Sequence, residues 1–346
     1  MRIGSARQTY EQDESLFDSR TQWLWIGVLG MLLVAFPFIA GQYWQFLACL
    51  VGINVIAATG LNVLTGYTGL VSLGHAAFMG VGAYAVAVLD AQFGQSFLIN
   101  LLGAGLVAML VGLVVGLPSL RVKGLYLALA TIAASFILHF IFAHWTSLTG
   151  GTAGLNVPPA KIFGISLDNE FRFYWLVMPL VVLMLTGAAN LFRTRTGRAF
   201  IAIRDRDISA EILGIPLLRY KLLSFGLSSF YAGVAGGLWA YFFRSVTPES
   251  FPLQMSIFFL AAIIVGGMGS ILGGILGAVF MTLVPEILKI IVGWLPNPAE
   301  AAVVLAPVRT IVFGALIVGF LILEPHGLAE IWQRIRRFFH LWPFRT

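Results

Sequence analysis

The chain has 346 residues, of which 59% are hydrophobic and only 10% are charged. Soluble domains carry about 25% charged residues, so the composition excludes a soluble globular protein and indicates a polytopic membrane protein. The net charge is +6, but the Lys and Arg excess falls in loops predicted on one side of the bilayer, which excludes a nucleic-acid-binding patch. The single cysteine, Cys49, excludes an intrachain disulfide and most cysteine metal sites.

Apolar runs of about 20 residues are long enough to cross a bilayer as helices. We therefore predict an all-α polytopic integral membrane protein with about ten transmembrane helices, including short or broken segments. The apolar runs are residues 22–40, 44–64, 69–90, 97–120, 124–146, 173–192, 222–243, 255–267, 271–293 and 303–323. The part from 255 to 293 is either two full spans or a re-entrant segment broken at its glycines, and an eight-span arrangement would keep the same orientation.

The basic residues predict the orientation. Of the 21 Lys and Arg residues, 16 fall in four intervals, namely 1–21, 121–123, 193–221 and 325–346. Short loops rich in Lys and Arg stay in the cytoplasm, so both termini are predicted to be cytoplasmic. Residues 1–21 form a polar N-terminal tail without the pattern of a cleavable signal peptide. Residues 22–323 form the transmembrane domain, and residues 324–346 form a cytoplasmic amphipathic tail whose basic helix suits contact with membrane lipid.

A glycine-rich stretch with polar residues at predicted membrane depth occupies positions 60–84. Glycine allows helices to pack closely in lipid, and it also allows breaks at which backbone groups line a water-filled path. We interpret His75 as a hydrogen-bonded packing residue rather than a proton carrier. The candidates for lining a translocation path are Asn62, Thr65, Gly66, Gly69, Ser72, Gly74, His75, Gly266 and Gly269.

The basic loop at 193–221 is the longest polar interval of the chain. Its interior is predicted to form a short helix that ends at Gly214 and Pro216. One face of that helix would carry Ile201, Ile208 and Ile212, and another would carry charges at spacings that allow local ion pairs. Such a helix suits docking into a groove of a partner protein or resting on anionic lipid.

Four short motifs in this loop carry a resemblance. Gly-Arg at 197–198, Ala-Ile-Arg-Asp at 202–205, Ala-Glu at 210–211 and Leu-Gly-Ile at 213–215 resemble the coupling loop of the LivM-type subunit of branched-chain amino-acid ABC permeases. The resemblance extends roughly over 60–84, 121–155, 193–240 and 255–280. It implies that the loop inserts into a cleft of a cytoplasmic ATPase. The residues implied in this coupling are Gly197, Arg198, Ala202, Arg204, Asp205, Ala210, Glu211 and Gly214.

A second group of charges is predicted near the outer ends of the last helices. Glu286 and Lys289 are one helical turn apart, and Arg309 enters the last span. Charges at membrane depth are unfavourable unless they are paired or functional. These three residues would form either an outer vestibule for a zwitterion or an ion-paired cluster that joins two helices.

The chain lacks the motifs of an ATPase or a metalloenzyme. No Lys follows a Gly, so the Gly-Lys of a phosphate-binding loop is missing. His139 and His144 are too far apart for a helical zinc pair. We therefore predict no catalytic residues, no metal site and no cofactor. The resemblance implies that partner subunits hydrolyse ATP.

The resemblance implies a membrane-spanning permease subunit of an ABC importer in the bacterial plasma (inner) membrane. The implied partners are a second, LivH-like permease, two cytoplasmic ATPase subunits and a periplasmic or surface binding protein. The implied substrate is a branched-chain or related amino acid, with urea and short amides as an alternative. An ion-coupled secondary transporter is a third possibility, but the carboxylates that it would use near the midplane are scarce.

Overall fold

The computed structural model describes residues 20–94, 96–119, 124–162, 165–292, 298–324 and 327–341. Almost all of the predicted N-terminal tail, the inner loop at 121–123 and residues 342–346 lie outside the described residues. The described helices are α1 Arg20–Ile39, α2 Gln42–Leu61, α3 His75–Phe93, α4 Phe97–Ser119, α5 Leu125–His144, α6 Thr146–Thr149, α7 Glu170–Arg193, α8 Arg195–Asp205, α9 Asp207–Ile212, α10 Leu217–Phe243, α11 Leu253–Gly266, α12 Ile271–Val292, α13 Pro298–Leu323 and α14 Gly327–Leu341.

Within the described residues, short strands occur only on the side predicted to face outward. Strand β1 at Leu155–Asn156 pairs in antiparallel fashion with β4 at Ser245–Val246, so that Leu155 lies opposite Val246. Strands β2 at Lys161–Ile162 and β3 at Ile165–Ser166 form a small hairpin. The β1–β4 pair joins the segment after α6 to the segment after α10.

The prediction of an all-α polytopic membrane protein is confirmed, because a long helix occupies each of the ten apolar runs. Seven described segments are long and apolar enough to cross a membrane. They are Gln42–Tyr67, Phe97–Pro118, Leu125–His144, Glu170–Arg193, Leu217–Phe243, Pro248–Gly266 and Ile271–Ile291. The count of ten spans therefore stays a prediction.

Helices α2 and α10 form the centre of the bundle. In an apolar stretch of 18 residues, 83% of the residues are buried in α2 and 72% in α10, against 17% in α7. Small residues allow α10 to approach α3 closely: a Cβ atom on Gly82 would lie 2.2 Å from the carbonyl oxygen of Gly233. Without a hydrophobic driving force in lipid, such backbone contact is a main source of attraction between helices.

The helical path is interrupted at two places. Helix α2 continues into a π-helical turn, Asn62–Tyr67, and the chain is then non-helical until α3 begins at His75. The predicted span at 69–90 is therefore wrong at its start. Between α11 and α12 the chain turns through residues 267–270, where Gly267 has φ 113° and Gly269 has φ 77°. Over residues 255–292, the described part of this stretch, the chain thus forms two helices joined by a glycine turn.

Candidate functional site

The basic loop does not form the single helix that its sequence predicts. It contains α8 and α9, separated at Arg206, whose extended backbone has φ −156° and ψ 102°. The break places the isoleucines on different surfaces: Ile201 packs in a cluster with Phe200, whereas Ile208 and Ile212 are 66% and 80% exposed. The predicted ridge of three isoleucines is therefore wrong, and an exposed apolar surface of α9 remains.

The predicted end of this helix is confirmed. The amide of Gly214, at φ 83°, donates to Glu211 O, and the amide of Ile215 donates to Ala210 O. This is the bonding of a helix that ends at a left-handed glycine. Pro216 then precedes α10, and Ala210 is buried while Glu211 is exposed.

Gly197 lies in the first turn of α8, next to the corner at Thr194 between α7 and α8. The Thr194 hydroxyl caps α8 by accepting from the Gly197 amide at 3.5 Å. A Cβ atom on Gly197 would lie 2.4 Å from Phe192 Cα. Arg198 is exposed, and its Nη1 donates to Arg193 O at 3.0 Å. The end of α7 and the start of α8 are therefore tightly joined.

Helix α8 packs directly on the first helix interruption. Phe200 is fully buried in a cluster with Val63 and Tyr67 of the π-helical turn. The rings of Tyr67 and Phe192 stack with centroids 3.4 Å apart. Ile203 is buried on the same side of α8, and Ala202 is half-buried. Movement of α8 relative to the π-helical turn would therefore disrupt a packed apolar contact.

Arg204 reaches from α8 to both interruptions. Its Nη1 donates to Gly66 O at 2.9 Å, and its Nε donates to Asp205 Oδ1 at 3.3 Å. A Cβ atom on Gly269 would lie 2.4 Å from that Nη1, and one on Gly69 would lie 3.0 Å from Arg204 Cγ. Gly69 and Gly269 both have positive φ values near 75°, a conformation that favours glycine.

The Asn62 side chain joins the two interruptions to each other. Its Nδ2 donates to Ser270 O at 2.8 Å, and its Oδ1 accepts from the Gly269 amide at 2.9 Å. Five predicted site residues are thus brought together from three parts of the chain. We call this group the break junction; it consists of Asn62, Gly66, Gly69, Arg204 and Gly269.

The other predicted path residues lie within packed protein. The Thr65 hydroxyl donates to Leu70 O at 3.1 Å, and Ser72 Oγ accepts from the Gly74 amide at 3.4 Å. His75 is fully buried, with Nε2 2.8 Å from Ala57 O, which agrees with its interpretation as a packing residue. A Cβ atom on Gly266 would lie 1.9 Å from Gly273 O. A role of these side chains in lining a path stays a prediction.

A cleft lies between the basic loop and the chain that follows the π-helical turn. It is open, and its volume is about 210 Å³. Lys221 is buried in its wall and pairs with Asp207 at 3.8 Å. The other lining residues are Thr68, Gly69, Leu70, Gly124, Ile203, Arg204, Asp205 and Arg206.

The outer charged cluster contains a residue that the sequence did not indicate. Lys289 Nζ lies 2.7 Å from Glu286 Oε1, and the Tyr43 hydroxyl donates to Glu286 Oε2. Tyr43 lies near the start of α2, so the cluster joins α2 to α12. The side chain of Arg309 lies outside the described residues. A polar residue next to the start of an apolar run is the sequence signal that could have identified Tyr43.

The predicted C-terminal tail contains α14, which packs against the second interruption. Gly327 has φ 70°, and a Cβ atom there would lie 2.5 Å from the Gly267 amide nitrogen. Arg334 bonds to Glu324 at 2.8 Å. Trp332 and Ile335 are 54% and 45% exposed, so this helix presents an apolar and basic surface.

Comparison with known proteins identifies the family. The family described as "Branched-chain amino acid transport system / permease component" matches residues 43–321. The chain is 34% identical, over 78% of its length and 69% of the relative's, to the high-affinity branched-chain amino acid transport system permease protein LivM of Escherichia coli K12.

Two more distant relatives also cover most of the chain. A probable branched-chain amino acid transport permease protein LivH of Methanocaldococcus jannaschii is 26% identical over 82% of this chain and 90% of its own. The autoinducer 2 import system permease protein LsrC of an Enterobacter strain is 28% identical over 60% of this chain and 61% of its own. Together with the helical membrane fold and the interrupted helices, these matches show that the chain belongs to the family of branched-chain amino acid transport system permease components.

Proposed function

We propose that this chain is the LivM-type membrane-spanning permease subunit of an ABC importer for branched-chain or related amino acids. The observation that carries the proposal is the contact of Arg204, in the basic loop, with Gly66 and Gly269 at the two helix interruptions. A loop that receives force from an ATPase needs a rigid connection to the helices that it moves. The family assignment supports the same function.

Helix α9 is the proposed docking element for the ATPase. Ile208, Ile212 and Leu213 are 66%, 80% and 80% exposed, and the polar Glu211 is exposed beside them. An amphipathic helix of this kind fits a hydrophobic groove on a protein partner. The short helix is joined through the Arg206 break to α8, which is packed on the protein interior.

The proposed mechanism uses α8 as a rigid connection. ATP binding draws the two ATPases together and moves the docked α9. Helix α8 passes the movement to the break junction, because Phe200 and Arg204 hold it against both interruptions. The ATPases shift the equilibrium between outward and inward openings only as far as they bind the two states with different affinity.

The proposed assembly contains a second, LivH-like permease, two cytoplasmic ATPases and a periplasmic or surface binding protein. The assembly lies in the bacterial plasma (inner) membrane. Both termini of this chain lie in the cytoplasm, as the distribution of its basic residues indicates. The proposed domains are an N-terminal tail at 1–21, a transmembrane domain at 22–323 that contains the coupling loop at 193–221, and a C-terminal tail at 324–346. Urea or short amides are alternative substrates, and uptake by vesicles of labelled leucine and labelled urea separates these possibilities.

An experiment on α9 tests the coupling role. The double substitution Ile208→Asp and Ile212→Asp places two charges on the proposed apolar contact, while both side chains are exposed and so contribute little to the fold. We expect the ATPase to be lost from the purified complex and transport to be lost from vesicles. The matched control is Ile335→Asp, which changes an exposed isoleucine of α14. Retention of the ATPase by the double variant, with normal transport, would contradict the proposal, and so would a wild-type protein that transports without any ATPase.

A further inference from the structure

The chain between the π-helical turn and α3 crosses part of the membrane without forming a helix. At its start, the Thr68 hydroxyl donates to Val63 O at 3.0 Å. At its end, His75 Nε2 lies 2.8 Å from Ala57 O. Ala57 and Tyr67 are ten residues apart on one helical path, so residues 68–74 climb about 15 Å from the break junction. We call residues 68–74 the extended segment, because they cover this distance without forming a helix; the backbone of Thr68, Gly69 and Gly74 is not itself in the extended conformation.

A contact with α11 indicates the same distance between the far end of the extended segment and the break junction. The amide of Ala76 donates to Ser256 Oγ at 2.9 Å. Ser256 and Gly266 are ten residues apart on α11, and Gly266 lies next to the turn that contributes Gly269 to the break junction. The far end of the extended segment is therefore again about 15 Å from the junction, well inside the membrane-spanning part of the molecule.

One side of the extended segment is bonded to the protein. The amide of Leu73 donates to Thr131 Oγ1 at 3.0 Å, and the amide of Leu70 donates to Leu64 O at 3.1 Å. The side chains of Leu70 and Ser72 are buried. These contacts hold the segment in its non-helical conformation.

The less buried side carries Val71 and Leu73, which alternate along the chain with the buried Leu70, Ser72 and Gly74. Val71 is 37% exposed. Within the described part of the chain, no hydrogen bond engages the amide or the carbonyl of Val71. Non-helical backbone with unbonded polar groups does not face hydrocarbon; it occurs at membrane depth only where protein covers it or where it lines a water-filled cavity. The side that carries Val71 is therefore not a lipid-facing surface.

We propose that the Val71 and Leu73 side of the extended segment lines the water-filled passage that the substrate crosses; this inference rests on the proposed permease function. Backbone amides and carbonyls beside two aliphatic side chains suit a small zwitterion that itself has an aliphatic side chain. The backbone groups bond to its carboxylate and ammonium groups, and Val71 contacts the aliphatic part. The buried polar residues predicted to line a path would then shape the segment without touching the substrate.

Thiol labelling tests this inference in vesicles that contain the complete transporter. Cys49, which is fully buried, is first replaced by alanine, and the test cysteines are introduced into this Cys49→Ala background. Val71→Cys is then treated with a charged, water-soluble methanethiosulfonate and, separately, with a lipid-soluble maleimide. The controls are Leu110→Cys on α4, where the leucine is 63% exposed on an apolar helix, and Val63→Cys, where the valine is fully buried.

We expect the charged reagent to label Val71→Cys at least about tenfold faster than either control, because water reaches only the passage. Leucine is expected to slow that labelling. Leu73→Cys is the second probe if Val71→Cys does not accumulate. Labelling by the lipid-soluble reagent alone would overturn the inference, and so would crosslinking of Val71→Cys to the second permease with resistance to both reagents. Unchanged labelling in the presence of leucine would overturn the substrate contact.

The two proposals fail separately. Labelling does not depend on ATPase docking, so loss of labelling alone overturns the passage assignment and leaves the α9 experiment unaffected. If the wild-type protein does not bind the ATPase, the proposed permease function is overturned, whatever the labelling shows.

Discussion

At the residue scale, the proposed coupling depends most directly on Arg204. Its guanidinium makes a charge-assisted hydrogen bond to Gly66 O in a partly buried position, and bonds of this kind contribute about 1.5–3 kcal/mol. We expect Arg204→Ala to reduce transport about tenfold or more while the complex still hydrolyses ATP, because that free energy is lost from the connection and not from the ATPase. Transport and ATPase rates measured on the same vesicles check this.

Two further variants define the role of the Arg204 side chain. Arg204→Lys keeps the charge but lacks the planar fork, and it should restore transport only in part. Arg219→Ala removes an exposed arginine of the same basic loop and should transport normally. Equal loss of ATP hydrolysis and transport in Arg204→Ala would indicate failed assembly and count against a role in coupling.

Gly269 should tolerate no side chain. It has φ 77°, and an added Cβ atom would lie 2.4 Å from Arg204 Nη1. Strain of the left-handed backbone alone costs on the order of 1–2 kcal/mol for a residue with a Cβ atom, so Gly269→Ala should lower the melting temperature of the purified protein. Gly274→Ala is the matched control, since its Cβ atom would have its nearest contact at 3.4 Å. Equal melting temperatures for the two variants would contradict the described geometry.

The outer cluster allows a test that separates structure from transport. Glu286 contacts Lys289 on its own helix and Tyr43 on α2. Glu286→Gln removes the charge but keeps an oxygen that can accept from Tyr43. If the cluster only joins helices, folded yield should fall; if it forms a vestibule, transport should fall at normal yield. The measurements are yield by size-exclusion chromatography and uptake by vesicles, and no change in either would remove both interpretations.

At the scale of elements, the sequence predicts helices better than their interruptions. The ten apolar runs stand out because a helix in lipid must be apolar over most of its surface. The interruption at 68–74 cannot be recognised in the sequence, because glycine in a membrane helix indicates close packing as readily as a break, and the chain has 38 glycines. The break at Arg206 is also hidden, since Arg and Asp are acceptable inside an exposed helix.

The site residues show the same difference. The family motifs identify Arg204 and Gly197 as site residues, but they do not predict the contacts of these residues. Arg204 contacts Gly66, which is more than a hundred positions away, and Gly197 contacts Phe192 because the chain turns tightly between α7 and α8. Asn62 was predicted to line a path because it is polar at membrane depth. In the fold its side-chain amide joins two turns, and local sequence contains no information about a partner some 208 residues away.

The docking of α14 gives a prediction about an element. Gly327 starts this helix with φ 70°, and an added Cβ atom would lie 2.5 Å from the Gly267 amide nitrogen. We expect Gly327→Ala to displace α14 from the turn between α11 and α12 and to make its cleavage by added trypsin faster. Gly314→Ala is the control, because no atom lies within 4 Å of its added Cβ. Equal cleavage rates in inside-out vesicles would contradict the docking.

At the scale of the whole molecule, the break junction and the outer cluster lie at opposite ends of α2. Tyr43 is near the start of this helix, and Gly66 is in the π-helical turn that follows it. Together, α2 and the π-helical turn have 26 residues and are about 39 Å long, so they connect the basic loop to the opposite surface. Because most of its residues are buried, α2 can move only together with the helices packed on it, which suits rocking of a bundle better than bending of one helix.

The orientation of the whole chain is the final prediction. The intervals predicted to lie inside hold 16 of the 21 Lys and Arg residues, and positively charged loops are retained in the cytoplasm. A green fluorescent protein fused after Thr346 should therefore fluoresce, and alkaline phosphatase at the same place should be inactive, because each reporter works on one side of the membrane. Phosphatase inserted after Asp168, in the segment that contains the short strands, should be active. Active phosphatase after Thr346 would mean that the C-terminus is outside, and the ten-span arrangement would then be wrong. Phosphatase inserted after Met268, in the glycine turn, should be inactive, since this turn contacts Arg204 of the basic loop; activity there would place the break junction on the outer side and remove the basis for coupling.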